Sequence, residues 1–216
     1  MSLINNLIQS GNLKSPEIID AFKKIKRKDF LLPSDIKMAE INSPIGIGCG
    51  QTISQPLTVA FMLELLKAKI GDKVLDVGSG SGWTCAMLAE IVGSKGDVFG
   101  IEKIPELKKF AEKNIDKYEH IKNLSTSSGQ GCVQMFCSDG YKGLPRFAPF
   151  DKIIVAAAAV ETPSELLKQL KVGGRLVIPI GLQYESQEMV VIDKVNDKKF
   201  REKRYPGFIF VPLVKE

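Results

Sequence analysis

Ten residues, Lys73-Val-Leu-Asp-Val-Gly-Ser-Gly-Ser-Gly82, constrain the fold of this chain more than any other stretch. A short apolar run carries an acid, Asp76, and glycines then recur at 78, 80 and 82. An apolar segment, Trp83 to Val92, comes directly after. This order predicts strand, glycine loop and helix, the opening unit of an α/β fold. Glycines let a backbone approach a ligand closely, and amides at a helix N-terminus offer it donors. Glu102 ends the next apolar run, Asp97 to Ile101, where a carboxylate can accept hydrogen bonds from a ribose diol. A tight turn without a ligand would account for the glycines alone. It does not account for strand, acid, loop, helix and second acid together. The unit reads as a nucleoside site.

The spacing narrows the nucleoside. A dinucleotide fingerprint, G-x-G-x-x-G, would place glycine where Trp83 stands. No G-x-x-x-x-G-K-[ST] occurs, which excludes a P-loop phosphate cradle. The common reading that remains is S-adenosylmethionine, with S-adenosylhomocysteine as product. That ligand has a sulfonium, an amino acid end and a ribose, and no phosphate. Asp76 and Glu102 suit it.

Composition sets the wider class. With 216 residues, 44% hydrophobic and 25% charged, the chain suits one sizeable soluble core. Apolar runs such as Ile153 to Val160 are too short to span a bilayer. The first residues lack a basic segment leading into an apolar one, so no signal peptide is expected and the expected location is cytoplasmic. Cysteines 49, 85, 132 and 137 form no C-x-x-C pair and His120 is the lone histidine, so no metal site is expected. The net charge is +5, and Lys23-Lys24-Ile25-Lys26-Arg27-Lys28 reads as a solvated helix face, not a nucleic-acid surface. A monomer is the default expectation.

Organisation follows from periodicity. Ser15-Pro16 opens a helix as N-cap and first residue, with Ile18, Ile19, Phe22 and Ile25 as its stripe. A glycine-rich stretch, Gly46 to Ser54, precedes a helix from Pro56 to Lys67. Strands are expected at 73–77, 97–101, 132–137, 151–157 and 174–180, and helices at 82–92, 105–117 and 163–170. Residues 123–131 read as a surface loop, and 188–195 and 208–213 as two antiparallel strands closing the sheet. Continuously apolar strands fit a mostly parallel sheet covered on both faces. The expected fold is a doubly wound, Rossmann-like α/β domain over 1–216. Residues 1–55 form its N-terminal helical extension and active-site loop, and 56–216 its core.

The methyl acceptor is harder to read. Base and amide N-methylation goes with a polar [DNS]-P-P-[FYW] turn after the fourth strand. Here Ile153-Ile-Val-Ala-Ala-Ala-Ala159 ends in small apolar residues. No His, Lys or Cys constellation stands ready as an acid or base. A carboxylate acceptor needs none, since it is already ionised near neutral pH and is itself the nucleophile. Its methylation rests on alignment and desolvation.

Further stretches make a family resemblance specific. They are Gly50-Gln-Thr-Ile-Ser-Gln-Pro56, Val74 to Gly82, Ser138-Asp-Gly140, Ala148-Pro-Phe-Asp-Lys-Ile-Ile-Val155, Gln169-Leu-Lys-Val-Gly-Gly-Arg-Leu-Val-Ile-Pro-Ile-Gly181 and Phe210-Val-Pro-Leu213. The chain resembles the protein-L-isoaspartate O-methyltransferases over nearly its whole length. The resemblance implies methyl transfer to the free α-carboxylate of L-isoaspartyl residues, and more weakly to D-aspartyl, in damaged proteins. The ester then cyclises to a succinimide, which reopens partly to aspartate. By the same resemblance Ser54 is the active-site hydroxyl. Asp76, Gly78, Ser79, Gly80, Glu102, Asp139 and Gly140 bind the cofactor, with Asp139 near the adenine amino group. Thr52, Ile53, Val211 and Leu213 bind the substrate, an isoaspartyl protein or peptide.

Gln55 follows the T-I-S motif where alanine or serine is frequent, and Val59 stands where some relatives carry histidine. Leu213 is followed by only three residues, shorter than relatives with a tail there. Local roles compete with these assignments: Ser54 could serve as a helix N-cap and Asp139 as a turn residue. Trp83 and Cys85 read as helix packing and His120 as solvated. An RNA or small-molecule methyltransferase, or an adaptor without catalysis, would share the fold.

Overall fold

The computed structural model describes residues 2–122, 132–183 and 185–215. The expected loop at 123–131 lies outside them. Seven strands form one sheet in the order β5-β4-β3-β6-β7-β8-β9. They are β3 (Lys73–Val77), β4 (Asp97–Glu102), β5 (Val133–Cys137), β6 (Phe150–Val155), β7 (Leu170–Ile180), β8 (Gln187–Asn196) and β9 (Lys199–Phe208). The pairs among β3 to β7 are parallel, and β7–β8 and β8–β9 are antiparallel.

Side chains on β3 alternate between faces, as a strand requires. Val74 packs with α4 (Trp83–Val92) and α3 (Pro56–Leu66), whereas Leu75 and Val77 pack on the other face with Phe99, Phe150 and Leu166. Asp76 shares the face of Val74 and so points toward α4. The apolar segment after the glycine loop makes a helix with Cys85 to Ala89 wholly buried, which is why it shows no polar stripe. Gly82 begins it at φ 88°, and a Cβ there would come within 3.0 Å of Ala111 on α5 (Pro105–Ile115). Only glycine accommodates both the left-handed backbone and that contact.

Chain order reverses at β3: β4 and β5 extend the sheet to one side, β6 and β7 to the other. Such a switch point opens a crevice beyond the carboxyl ends of the strands. The glycine loop follows β3 at that crevice.

The N-terminal part contains α1 (Leu3–Gln9), α2 (Pro16–Lys24) and a hairpin of β1 (Ile45–Gly48) and β2 (Gln51–Ile53). The hairpin is a correction to the reading of 46–54 as a glycine-rich stretch. Cys49 and Gly50 form its turn with φ of 52° and 70°, the left-handed backbone a two-residue hairpin favours. Ser15 occupies the N-cap position of α2, yet its hydroxyl donates to Glu64 Oε2 at 2.7 Å and caps nothing.

Two further expectations need correcting. The closing strand is β9, the charged run Lys-Phe-Arg-Glu-Lys-Arg-Tyr-Pro-Gly-Phe, and not 208–213. An edge strand meets water on its outer side, so lysine and arginine suit it and protect it from pairing with other chains. The supposed solvated face at 23–28 also has an inner side, because Ile25 and Arg27 are buried. A 3-10 turn over Arg27–Phe30 directs Arg27 inward.

Candidate active site at the sheet's switch point

Two cavities meet above the carboxyl ends of β3 and β6. The first, of about 390 Å³, runs from the glycine loop past Glu102 and Gly140 to Val211 and Leu213. The second, of about 770 Å³, opens between Pro44, Leu57, Gln183 and the Phe208–Pro212 segment. Thr52, Ser54, Ala156, Val211 and Pro212 line both. Ser54 stands at the junction.

The β1–β2 hairpin holds this part of the wall. Ile53 pairs with Ile45 and is buried, leaving Thr52 and Ser54 toward the openings. The N-cap of α3 is Gln55, so Ser54 does not cap that helix. Its carbonyl accepts a bond from Arg27 Nη2 at 3.1 Å.

The opposite wall is the chain end. Ala158 donates to the Val211 carbonyl at 2.8 Å and Leu213 donates to the Ala158 carbonyl at 2.7 Å, a short parallel ladder. Gln187, fully buried, clamps Phe210 by accepting from its amide at 2.7 Å and donating to its carbonyl at 3.3 Å. The apolar run 208–213 thus serves as cavity wall.

The glycine loop is held from within. The amides of Gly78 and Ser79 both donate to the Ile101 carbonyl, at 2.9 and 3.0 Å, and that of Gly82 to the Ser79 carbonyl at 2.8 Å. Gly80 donates to Glu102 Oε2 at 2.9 Å, while Glu102 Oε1 accepts from the Ile104 amide at 2.9 Å. These four amides are thus engaged within the chain. A phosphate would need such donors free. A ligand without phosphate does not, and Glu102 keeps lone pairs for a diol.

Asp76 lies beneath the loop and does not line the cavity. Its Oδ2 accepts from Cys85 Sγ at 3.0 Å, and its buried Oδ1 has no hydrogen-bond partner among the described residues. Burial pushes its carboxyl up to about 7; the Cys85 thiol opposes this and the Glu102 charge adds to it. A cation in the cavity above would favour the ionised form. Asp139 is also buried and stands behind the wall, its Oδ1 accepting from the Tyr141 amide at 2.9 Å in an Asx turn. Gly140 beside it reaches the cavity, where a Cβ would lie 2.6 Å from Val77 Cγ1 and 3.0 Å from Leu213 Cδ1.

Of the expected site residues, Thr52, Ile53, Ser54, Gly78, Ser79 and Gly80 line the first cavity. So do Glu102, Gly140, Val211 and Leu213. Asp76 and Asp139 support it from outside. Trp83, expected only to pack, also lines it, and its Nε1 donates to the Ile25 carbonyl at 3.3 Å. Cys85 packs and also holds Asp76. His120 is half-exposed and pairs with Glu90 at 3.0 Å. Among the described residues no group of three His, Cys, Asp or Glu is placed to hold a metal ion, and no helix is long and apolar enough to cross a membrane.

Known proteins resemble this chain in sequence and fold. The chain is 42% identical over 213 residues to a protein-L-isoaspartate O-methyltransferase of Thermococcus onnurineus, covering 99% of this chain and 92% of the relative. It is 44% identical over 215 residues to that of Ignicoccus hospitalis, covering 99% and 96%. A crystal structure of a putative protein-L-isoaspartate O-methyltransferase from Plasmodium falciparum, in complex with S-adenosyl-L-homocysteine, superposes with a TM-score of 0.86 at 26% identity, covering 99% of this chain and 97% of that one. An S-adenosylmethionine-dependent O-methyltransferase from Thermotoga maritima shares the fold at a TM-score of 0.51 and 24% identity, over 76% of this chain and 68% of that one. The family profile of protein-L-isoaspartate(D-aspartate) O-methyltransferase matches residues 1–216. With a family profile matching residues 1–216 and a relative this similar along nearly its whole length, this chain belongs to the protein-L-isoaspartate(D-aspartate) O-methyltransferase family.

Proposed function

We propose that the two cavities divide the labour of isoaspartyl methylation: the first holds the methyl donor, the second the damaged peptide, and Ser54 stands where they join. Family membership makes the chain an S-adenosylmethionine-dependent protein-L-isoaspartate O-methyltransferase. The observation that carries the division is the wall shared by both cavities, with Ser54, Ala156 and Val211 on each side of it. When bound, the cofactor supplies an electrophilic methyl on a sulfonium. The residues present fit it: Glu102 can accept from a diol, Asp76 offers a balancing negative charge, and the amides of Gly78, Ser79, Gly80 and Gly82 are already bonded within the chain.

The remaining steps belong to the chain. The Thr52–Ser54 strand end and the Val211–Leu213 segment bracket the acceptor, and the Ser54 hydroxyl donates to one oxygen of its carboxylate. That bond leaves the other oxygen to attack and fixes its direction. Ala156 and Ala157 leave room for a backbone-like acceptor and offer it no competing side-chain donor. Water exclusion by the chain end strengthens the attraction between the carboxylate and the cationic donor. No proton is transferred in the displacement, which agrees with a site lacking an acid–base pair.

Ser54→Ala tests this role. One hydrogen bond to a charged group contributes about 1.5–3 kcal/mol, so turnover should fall by about 10- to 100-fold. Cofactor affinity, measured by calorimetric titration with S-adenosylhomocysteine, should stay unchanged. A collapse of cofactor affinity with turnover of the bound complex intact would make Ser54 a structural residue.

We also read 1–216 as one domain, a cytoplasmic monomer that binds no nucleic acid. Of the five cations at 23–28, Arg27 is buried and Lys24 pairs with Glu90, while Lys23, Lys26 and Lys28 remain exposed as an ordinary solvated face. A sedimentation mass near the chain mass of 23.8 kDa would support the monomer, and salt-sensitive RNA binding would refute the nucleic-acid part.

A further inference from the structure

Arg27 is a buried cation with an unusual set of partners. Only 6% of its surface is exposed. Its Nη1 donates to the carbonyls of Ile41 at 2.9 Å and Ala39 at 3.4 Å. Its Nη2 donates to those of Ser43 at 2.7 Å and Ser54 at 3.1 Å. The guanidinium lies over the Trp83 ring, 5.6 Å from its centroid, and Nε has no hydrogen-bond partner among the described residues. Burying a cation among carbonyls without a bonded carboxylate is costly. Desolvation accordingly pulls Arg27 down to about 10, against a longer-range attraction from Glu40. A small apolar core residue would cost less there. What the arginine holds together is therefore informative.

Its partners come from three places around the site. Ala39, Ile41 and Ser43 belong to the segment leading into the β1–β2 hairpin. Ser54 ends that hairpin at the junction of the two cavities. Trp83 begins α4 and lines the first cavity. The planar fork bonds several carbonyls at once and stacks on an aromatic face, which an ammonium group cannot do. Arg27 touches neither cavity itself.

We propose that Arg27 is the positioning residue of the acceptor side: its guanidinium fixes the Ser54 backbone against the Trp83 wall, so that the hydroxyl keeps its place relative to the methyl donor. This rests on the reading of Ser54 given above. On the cofactor side Arg27 touches only Trp83, while the glycine loop itself is held by the Ile101 carbonyl and Glu102. Loss of the guanidinium therefore separates two quantities that general unfolding would lower together.

The test compares wild type, Arg27→Lys, Arg27→Ala and Ser54→Ala. Turnover of an isoaspartyl peptide is expressed per S-adenosylhomocysteine-binding site, so that unfolded protein does not count. Displacement of a positioned group by about 1 Å can cost about a hundredfold in rate. Both Arg27 variants should lose about that much turnover per site, with S-adenosylhomocysteine affinity falling far less. Millimolar guanidinium should restore part of the activity of Arg27→Ala, and methylammonium should not. Should the alanine variant fail to fold, the lysine variant decides, since it keeps the charge and loses the fork. Turnover per site equal to wild type, or affinity falling in step with turnover, would overturn the proposal. Loss in Ser54→Ala without loss in either Arg27 variant overturns this inference alone. Full activity in Ser54→Ala overturns the reading on which it rests, and this inference with it.

Discussion

Glu102→Ala should weaken S-adenosylhomocysteine binding by about a hundredfold or more. Glu102 does two things that alanine cannot. Its Oε2 anchors the Gly80 amide at 2.9 Å and its Oε1 the Ile104 amide at 2.9 Å, joining the glycine loop to the start of the α5 segment. Its remaining lone pairs face the cavity it lines. Removing a charged acceptor costs about 1.5–3 kcal/mol per bond, and a half-buried amide left without a partner adds to this. A total of about 3 kcal/mol corresponds to a little over a hundredfold in Kd. Glu102→Gln keeps one carbonyl oxygen and should lose about tenfold. Calorimetric titration reads both, and alanine-variant affinity equal to wild type would remove Glu102 from the cofactor site.

Asp76→Asn should change the pH dependence of both stability and cofactor binding. Burial holds the Asp76 carboxyl at about 7 against an ordinary value of 3.8. The folded state therefore keeps a proton that the unfolded state releases. The stability this contributes is present below pH 4, falls as pH rises from about 4 to 7, and is gone above that range. Asparagine has no such dependence. The stability difference between variant and wild type should move in the variant's favour across that window, by up to a few kcal/mol, and stay constant above it. Thermal unfolding from pH 4 to 8 measures this.

Cofactor binding tests the same group from the other side. The groups facing Asp76 are the Cys85 thiol from α4 and the Glu102 carboxylate from β4. Neither supplies a positive charge. If the ionised carboxylate is the form that accepts the cationic cofactor, wild-type affinity should fall about tenfold from pH 8 to pH 6. The variant's affinity should be lower and flat over that range. A wild-type affinity independent of pH would show that Asp76 supports the loop and does not balance the ligand.

Different parts of this site were legible in the sequence to different degrees, for physical reasons. Strands buried on both faces must be apolar throughout, so β3, β4 and β6 announced themselves, as did the helix that follows the glycine loop. Edges carry no such signal. The charged β9 satisfies its backbone on one side only and resembles a surface loop in composition. The apolar run at 208–213 looked like a strand because a cavity wall demands the same residues. The β1–β2 hairpin was hidden by its glycines, which are poor strand formers.

Side-chain roles divided along similar lines. The Thr52–Ser54 and Val211–Leu213 motifs were legible through family resemblance, and the structure brings them together at one junction. Asp76 was legible as an important acid, while its place beneath the loop follows from the alternation of β3, which puts it on the face of Val74. Arg27 was missed because five cations in six residues read as a solvated face; only the turn at Arg27–Phe30 shows which of them points inward. Gln187 was missed because nothing local marks a glutamine that serves Phe210, 23 residues away.

The most direct test of the account is methyl transfer from labelled S-adenosylmethionine to two peptides of one sequence, differing only in whether a single residue is isoaspartate or aspartate. The account predicts labelling of the isoaspartyl peptide at its free α-carboxyl, as a base-labile methyl ester, and no comparable labelling of its twin. Equal labelling of both peptides, or labelling of neither, would contradict it.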